Sequence, residues 1–301
     1  MKTTHCIDWL QYSLCWPANL DHWPVDNSAG IALALTTMPF SLDIHHNPES
    51  DHTPWRGYNT VYPFNIGDVN VHTERKEQKI GVVMSGEHLR TASTIGIEAI
   101  DLIFRAIHQG GKVTRLDFAI DIEGIQCDPL EVYETWEKKE LITTARSLNP
   151  VFTATVDKDG RVHRASTVYI GARESDRFVR IYDKGAKEKT TYPWTRIELV
   201  LRDDRANYAA QEMVRTEPGN VGRYLLQNFL KGGPDWLQDA ISGDTTYVQG
   251  PGRKQTKTQE WLLNTVLPTF QREARDRARV GDFTLTEAYQ KAIQEITTNE
   301  R

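Results

Sequence analysis

Val151-Phe-Thr-Ala-Thr-Val-Asp-Lys-Asp-Gly-Arg-Val-His-Arg-Ala-Ser-Thr-Val-Tyr-Ile-Gly171 decides the fold class of this 301-residue chain. Two runs rich in β-branched and aromatic residues, 151–156 and 165–171, flank the turn signal Asp157-Lys-Asp-Gly160, so the segment predicts a hairpin. The same texture continues on both sides. Residues 177–183 and 195–201 read as strands downstream. Upstream, Pro129 opens a helix running to about Glu140, and 112–122 alternates as a strand. Nearer the N-terminus, 5–14 reads as a strand and 68–73 with 79–84 as a strand pair. Ile95 to Ile107 follows helical spacing, which Gly110-Gly111 ends. The stretch 16–60 reads as loop-rich, and 243–256 as a polar link. Beyond Asp203 the pattern turns helical, near 203–215, 219–230, 234–241, 256–278 and 285–298. Hairpins with interspersed helices predict an α+β fold. It has a mostly antiparallel central sheet with flanking helices at 1–202, then a helical C-terminal region at 203–301.

Apolar residues make up 39% of the chain, enough for an ordinary packed core. No apolar run approaches ~20 residues and no secretory signal opens the sequence, so a cytoplasmic protein without membrane contact is expected. Cys6, Cys15 and Cys127 form no framework and are expected to be reduced thiols. The net charge of −5 is uneven: residues 161–202 carry ten Lys/Arg against five Asp/Glu, while Lys2 is the only basic residue in the first fifty. That asymmetry points to one polyanion site on an acidic body.

Several familiar signals fail on inspection. Gly110-Gly111-Lys112 resembles the end of a P-loop, but position 106 is Ala and the helix precedes the strand. His45 and His46 are adjacent, so on an extended chain they point apart. Ser85, Gly86, Glu87 and His88 are too close in sequence to form a triad. The chain has no His-apolar-His pair of the kind used by the commonest single-strand nickases.

Three segments carry chemistry. In Arg115-Leu-Asp-Phe-Ala-Ile-Asp121, strand alternation puts Arg115, Asp117, Ala119 and Asp121 on one face. In Arg177-Phe-Val-Arg-Ile-Tyr-Asp-Lys184, Arg180, Tyr182 and Lys184 share a face with Phe178. Cations beside a tyrosine favour its phenolate, so a lowered Tyr182 pKa is expected, with a phosphate held beside the hydroxyl. In Thr195-Arg-Ile-Glu-Leu-Val200, Arg196 and Glu198 share a face. If this strand neighbours the first, Glu198 meets an aspartate across the sheet, and two carboxylates suit Mg²⁺ or Mn²⁺. Asp117 and Asp121 stand ~13 Å apart along a strand, so they cannot both ligate one ion; Asp117 with Glu198 is the preferred pair, and Asp121 is second-line or structural.

In this order the segments resemble the replication initiation factor family, which includes rolling-circle initiators of plasmids and filamentous phages and relaxases of some conjugative elements. The matching elements are Arg115-x-Asp117-x-x-x-Asp121, Tyr169-x-Gly171-x-Arg173-x-Ser175, Arg180-Ile-Tyr182-Asp-Lys184 and Arg196-x-Glu198-Leu199, with Ile7-Asp8-Trp9-Leu10 and Ser85-Gly86 similar as well. The resemblance implies a DNA-nicking and strand-joining enzyme whose catalytic domain is 1–202. Tyr182 would be the nucleophile joined to a 5′ phosphate, with Arg180 and Lys184 beside it. Arg115, Arg173, Arg177 and Arg196 would be DNA-contacting cations. Asp117, Glu198 and Asp121 are the metal candidates. Its partner would be a replication origin, single-stranded or hairpin at the nick. The family pattern has an acid five residues after the tyrosine, where this chain has Lys187. Origin recognition, dimerisation or contact with a host helicase stay open for the helices after 203. A mobilisation relaxase and a non-catalytic DNA-binding regulator on the same scaffold are the alternatives.

Overall fold

The computed structural model describes residues 2–15, 53–54, 58, 60–72, 79–125, 127–156 and 162–248. The chain forms two compact units, Met1–Gly250 and Pro251–Arg301. The expected helices at 256–278 and 285–298, the turn at 157–160, His45, His46 and most of 16–60 lie outside the described residues.

The first unit is built on one nine-stranded sheet. Its strands are β1 (Lys2–Cys15), β2 (Thr60–Phe64), β3 (Gly67–His72), β4 (Lys79–Ser85), β5 (Lys112–Glu123), β7 (Leu148–Val156), β8 (Val162–Ile170), β9 (Arg177–Asp183) and β10 (Trp194–Arg202). The order is β2-β3-β4-β1-β5-β10-β9-β8-β7, and every neighbouring pair is antiparallel. A separate antiparallel pair joins β6 (Leu141–Thr143) to β11 (Leu230–Gly232). The hairpin expected around 157–160 is present as β7 and β8, which pair from Leu148↔Ile170 to Val156↔Val162.

Seven helices accompany the strands among the described residues: α1 (Gly86–Thr94), α2 (Ala99–His108), α3 (Pro129–Glu137), α4 (Lys184–Glu188), α5 (Asp203–Arg215), α6 (Pro218–Gln227) and α7 (Asp235–Ile241). The α+β architecture read from sequence is therefore the observed one. Two local readings change. The helix expected from Ile95 starts at Ala99, and a separate helix precedes it, capped by Ser85, whose hydroxyl accepts from the His88 amide at 3.3 Å. The helix after Pro129 stops at Glu137, because Lys139 takes a left-handed backbone, φ 63°.

One face of the sheet is the apolar one. Leu116, Phe118, Ile120 and Ile122 of β5 lie in register with Leu201, Leu199, Ile197 and Thr195 of β10, and the first seven of these are buried in the core. Helices α2 and α5 pack across β5, and α3 packs across β8. The buried side of α5 is small (Ala206, Ala209, Ala210 and Met213), which brings its axis close to the sheet. So α5, α6 and α7 belong to the same compact unit as the sheet. The closest approach is at α6: a Cβ on Gly222 would lie 2.2 Å from the Phe118 ring, and one on Gly219 would lie 2.7 Å from His5.

Gly222→Ala therefore forces Phe118 or α6 to move, and overpacking of this kind costs about 1–3 kcal/mol. Urea unfolding should show a lower midpoint with an unchanged slope; an unaltered midpoint would mean that the helix–sheet contact is looser than described.

Candidate active site

The other face of the sheet is polar, and register assembles it. Running from β8 to β1, one row reads Thr167, Tyr182, Arg196, Asp121 and Thr4; the next reads Tyr169, Arg180, Glu198, Ala119 and Cys6. A third holds Phe178, Val200, Asp117 and Trp9. Strand β10 does neighbour β5, so Glu198, in register with Ala119, comes to lie diagonal to Asp117, which is in register with Val200.

Asp117 and Glu198 are both buried. Each has an arginine. Arg115 grips Asp117 through Nε at 2.9 Å and a terminal nitrogen at 2.6 Å, and Arg180 pairs with Glu198 Oε1. Burial still dominates. It raises the Asp117 carboxyl, against the Arg115 hydrogen bond, and it raises Glu198 to about 7, with Arg180 opposing and Asp117 adding to the rise. The two neighbouring acids thus both bind their protons more tightly than free carboxyls do.

Tyr182 is 8% exposed, and its hydroxyl donates to Glu198 Oε2 at 3.4 Å. Its pKa is raised, not lowered as the flanking cations suggest. Burial is the main cause and Glu198 the second; Arg196 and Arg180 oppose them without prevailing. Arg180 lies 5.5 Å from the ring centroid and Lys187 lies 5.7 Å from it. Lys187, where the family pattern has an acid, is thus one of the cations nearest the tyrosine.

Three further expectations change. Strand alternation ends at Asp183, whose side chain caps α4 by accepting from the Ala186 amide at 2.8 Å. Lys184, the first residue of that helix, sits over the Trp194 ring at 4.2 Å, 3.9 Å from Asp121. Arg177 falls on the apolar face, opposite in parity to Tyr182; its guanidinium covers Phe229 at 4.5 Å and donates to Thr144 at 3.0 Å. Arg196 is buried and doubly clamped. It donates to both oxygens of Asp121, at 2.7 and 2.6 Å, and pairs with Asp8. Asp121 also accepts from Trp194 Nε1 at 2.9 Å, which agrees with the structural place expected for it behind Asp117.

Asp8 is the site residue that sequence reasoning left without a role. The register of β1 against β5 shifts between Ile7 and Trp9, and this bulge directs Asp8 to the polar face. A Cβ at Gly86 would stand 2.6 Å from the Asp8 carboxylate, so the glycine that starts α1 makes the room. The thiol of Cys6 lies alongside, 3.6 Å from Arg196, and burial raises it to about 11. Cys6, Asp8, Gly86, Lys184, Trp194 and Arg196 line part of a cavity of about 620 Å³. Among the described residues no three or more His, Cys, Asp or Glu side chains converge as a ready metal cage.

The fold is shared with a solved protein. The chain superimposes with a TM-score of 0.61 on the rolling circle replication initiator protein from Geobacillus stearothermophilus, at 21% identity, over 77% of this chain and 87% of that one. Residues 111–229, from the start of β5 through α6, match the family described as replication initiation factor. A curated relative from Bacillus subtilis (strain 168), named "Putative DNA relaxase NicK", is 23% identical over 195 residues, 56% of this chain. The chain spans about half the length, 55%, of that relative. The family similarity thus covers residues 111–229, and the likeness to the solved initiator is one of fold. No helix among the described residues is long and apolar enough to cross a membrane.

Removing one side of the Arg196 clamp leaves a buried guanidinium short of countercharge, which costs about 3–5 kcal/mol. Asp121→Ala should lose that much stability in chemical unfolding; a loss under about 1 kcal/mol would mean that Asp8 alone suffices. Glu198 gives a pH signature. An acid that holds its proton more tightly folded than unfolded adds stability at low pH and loses it as pH rises from 4.5 through about 7. The melting temperature of Glu198→Gln, minus that of the wild type, should therefore rise across this window; a flat difference would show that Glu198 is ionised throughout.

Proposed function

We propose that this chain is a DNA strand transferase of the rolling-circle initiation type, with Tyr182 as nucleophile. The observation that carries the reading is the Tyr182 hydroxyl held at 3.4 Å from Glu198 Oε2, with Arg180 and Lys187 at its ring. The phenol oxygen attacks a DNA phosphorus and the phenol proton passes to water. The bond to the 3′ oxygen breaks and that oxygen takes a proton from water, leaving a free 3′-hydroxyl on one strand end and a 5′-phosphotyrosine link on the other. Reversal by a second 3′-hydroxyl rejoins DNA. Arg180 and Lys187 offset charge on the phosphate.

The raised Tyr182 pKa means that this chain does not supply an activated phenolate unaided. The acid pair answers that need. Asp117 and Glu198, two buried carboxyls on adjacent strands, would hold Mg²⁺ or Mn²⁺, and an ion there would supply positive charge beside the phenol and the bound phosphate. The oxygen-only donor pair fits such an ion, and the missing ligands are those that Mg²⁺ commonly takes from water and phosphate. The Bacillus relative supports a second reading with the same chemistry, a relaxase that nicks a transfer origin.

A supercoiled plasmid bearing the cognate origin, incubated with protein and Mg²⁺ or Mn²⁺, should yield open circles with protein attached. Tyr182→Phe should abolish both products, and Asp117→Asn should cut the rate by at least about 100-fold, the scale of losing one charge-stabilising group. Nicking by Tyr182→Phe at the wild-type rate would remove the nucleophile. Binding without nicking by the wild type would leave a DNA-binding regulator.

A further inference from the structure

Of the arginine-on-aromatic pairs on the polar face, two flank Tyr182 from other strands. The Arg173 guanidinium, just beyond β8, lies 3.9 Å from the centre of the Tyr169 ring of β8; the Arg115 guanidinium of β5 lies 4.4 Å from the centre of the Trp9 ring of β1. Tyr169 is in register with Arg180, and Trp9 with Asp117, so each pair adjoins the central group directly. From β8 to β1 is four strand spacings, ~19 Å, and Tyr182 and Glu198 fall between.

The Tyr169 pair is built, not incidental. Gly171, at φ +98°, has a position for Cβ only 3.2 Å from Phe178 Cβ, so the turn requires glycine. The Ser175 hydroxyl binds the carbonyl oxygens of Ala172 at 2.7 Å and Arg177 at 2.5 Å. Arg202 donates to the carbonyls of Ser175, at 2.9 Å, and Arg173. This fixes the backbone that carries Arg173 while leaving its side chain exposed. Among the described residues no carboxylate pairs with Arg173, so its charge and its flat face are offered outward together.

We infer that Tyr169–Arg173 and Trp9–Arg115 are base-stacking platforms for a single strand of DNA that crosses the sheet face with its scissile phosphate at Tyr182. Guanidinium planes and aromatic rings stack unpaired bases whatever their sequence, whereas bases inside a duplex do not present those faces. The inference rests on the strand-transfer reading and adds to it how the strand is held: by its bases on either side of the nick, not only by its phosphates.

The test compares a fluorescein-labelled 12-nucleotide oligothymidine with an abasic 12-mer of the same backbone, both without divalent metal so that no nicking occurs. Tyr169→Ala should weaken oligothymidine binding roughly tenfold and leave the abasic strand unchanged, while Tyr169→Trp should retain affinity. Arg173→Lys, an exposed change that keeps charge and loses the plane, should show the same selective loss even if Tyr169→Ala fails to fold. Equal losses on the two probes, or no loss on either, would overturn the platforms while leaving the nuclease reading in place. Failure of the wild type to bind either strand would instead overturn that reading itself.

Discussion

Asp117 and Glu198 sit on adjacent central strands with almost no access to water, and the rest of the polar face follows from that placement. An ionised carboxylate in such a site costs several kcal/mol unless cations and donors surround it. The sheet supplies them from the next positions outward: Arg115 on the same strand, Arg180 across from β9 and the Tyr182 hydroxyl one row away. Even so, burial wins, and both carboxyls are raised above their ordinary range. The tyrosine beside them is raised as well, by its own burial first and by Glu198 second.

A second charge system stands next to the first and is kept apart from it. Arg196 shares a row with Tyr182, but Asp121 and Asp8 hold it on two sides and Trp194 completes the Asp121 shell. A clamped cation exerts its field on Tyr182 without reaching for a phosphate, whereas the exposed Lys187 and Arg173 retain that freedom of reach. The face thereby separates a cation locked in buried ion pairs from cations exposed at its edge.

The strands were legible because their alternation is strong. Arg115-x-Asp117-x-x-x-Asp121 and Arg196-x-Glu198 announce one polar and one apolar face, and the observed register joins those faces as parity requires. What parity could not disclose is where alternation stops. Lys184 is two residues from Tyr182, but Asp183 turns the chain into a helix cap there, and Arg177 lies an odd number of residues from Tyr182, hence on the core side. The sign of the Tyr182 shift was also hidden, since it is decided by burial and by Glu198, and both depend on tertiary packing. Helix α1 escaped because only Leu89 and Ala92 on it are buried, too few to mark a period.

The bulge at Asp8 has a consequence for how the first strand tolerates change in length. With strict pleating, Asp8 and Trp9 would point to opposite sides; the extra residue lets both serve the polar face, while Ile7 and Leu10 stay in register with Phe118 and Leu116 on the other. One end of the strand is therefore phased to Arg196 and the other to Asp117. A single-codon deletion near position 8 would shift that phase, tipping either the aspartate or the indole into the greasy layer under α6. Substitution among the exposed residues at its beginning leaves the phase intact, so this strand is policed by residue count far more than by residue identity.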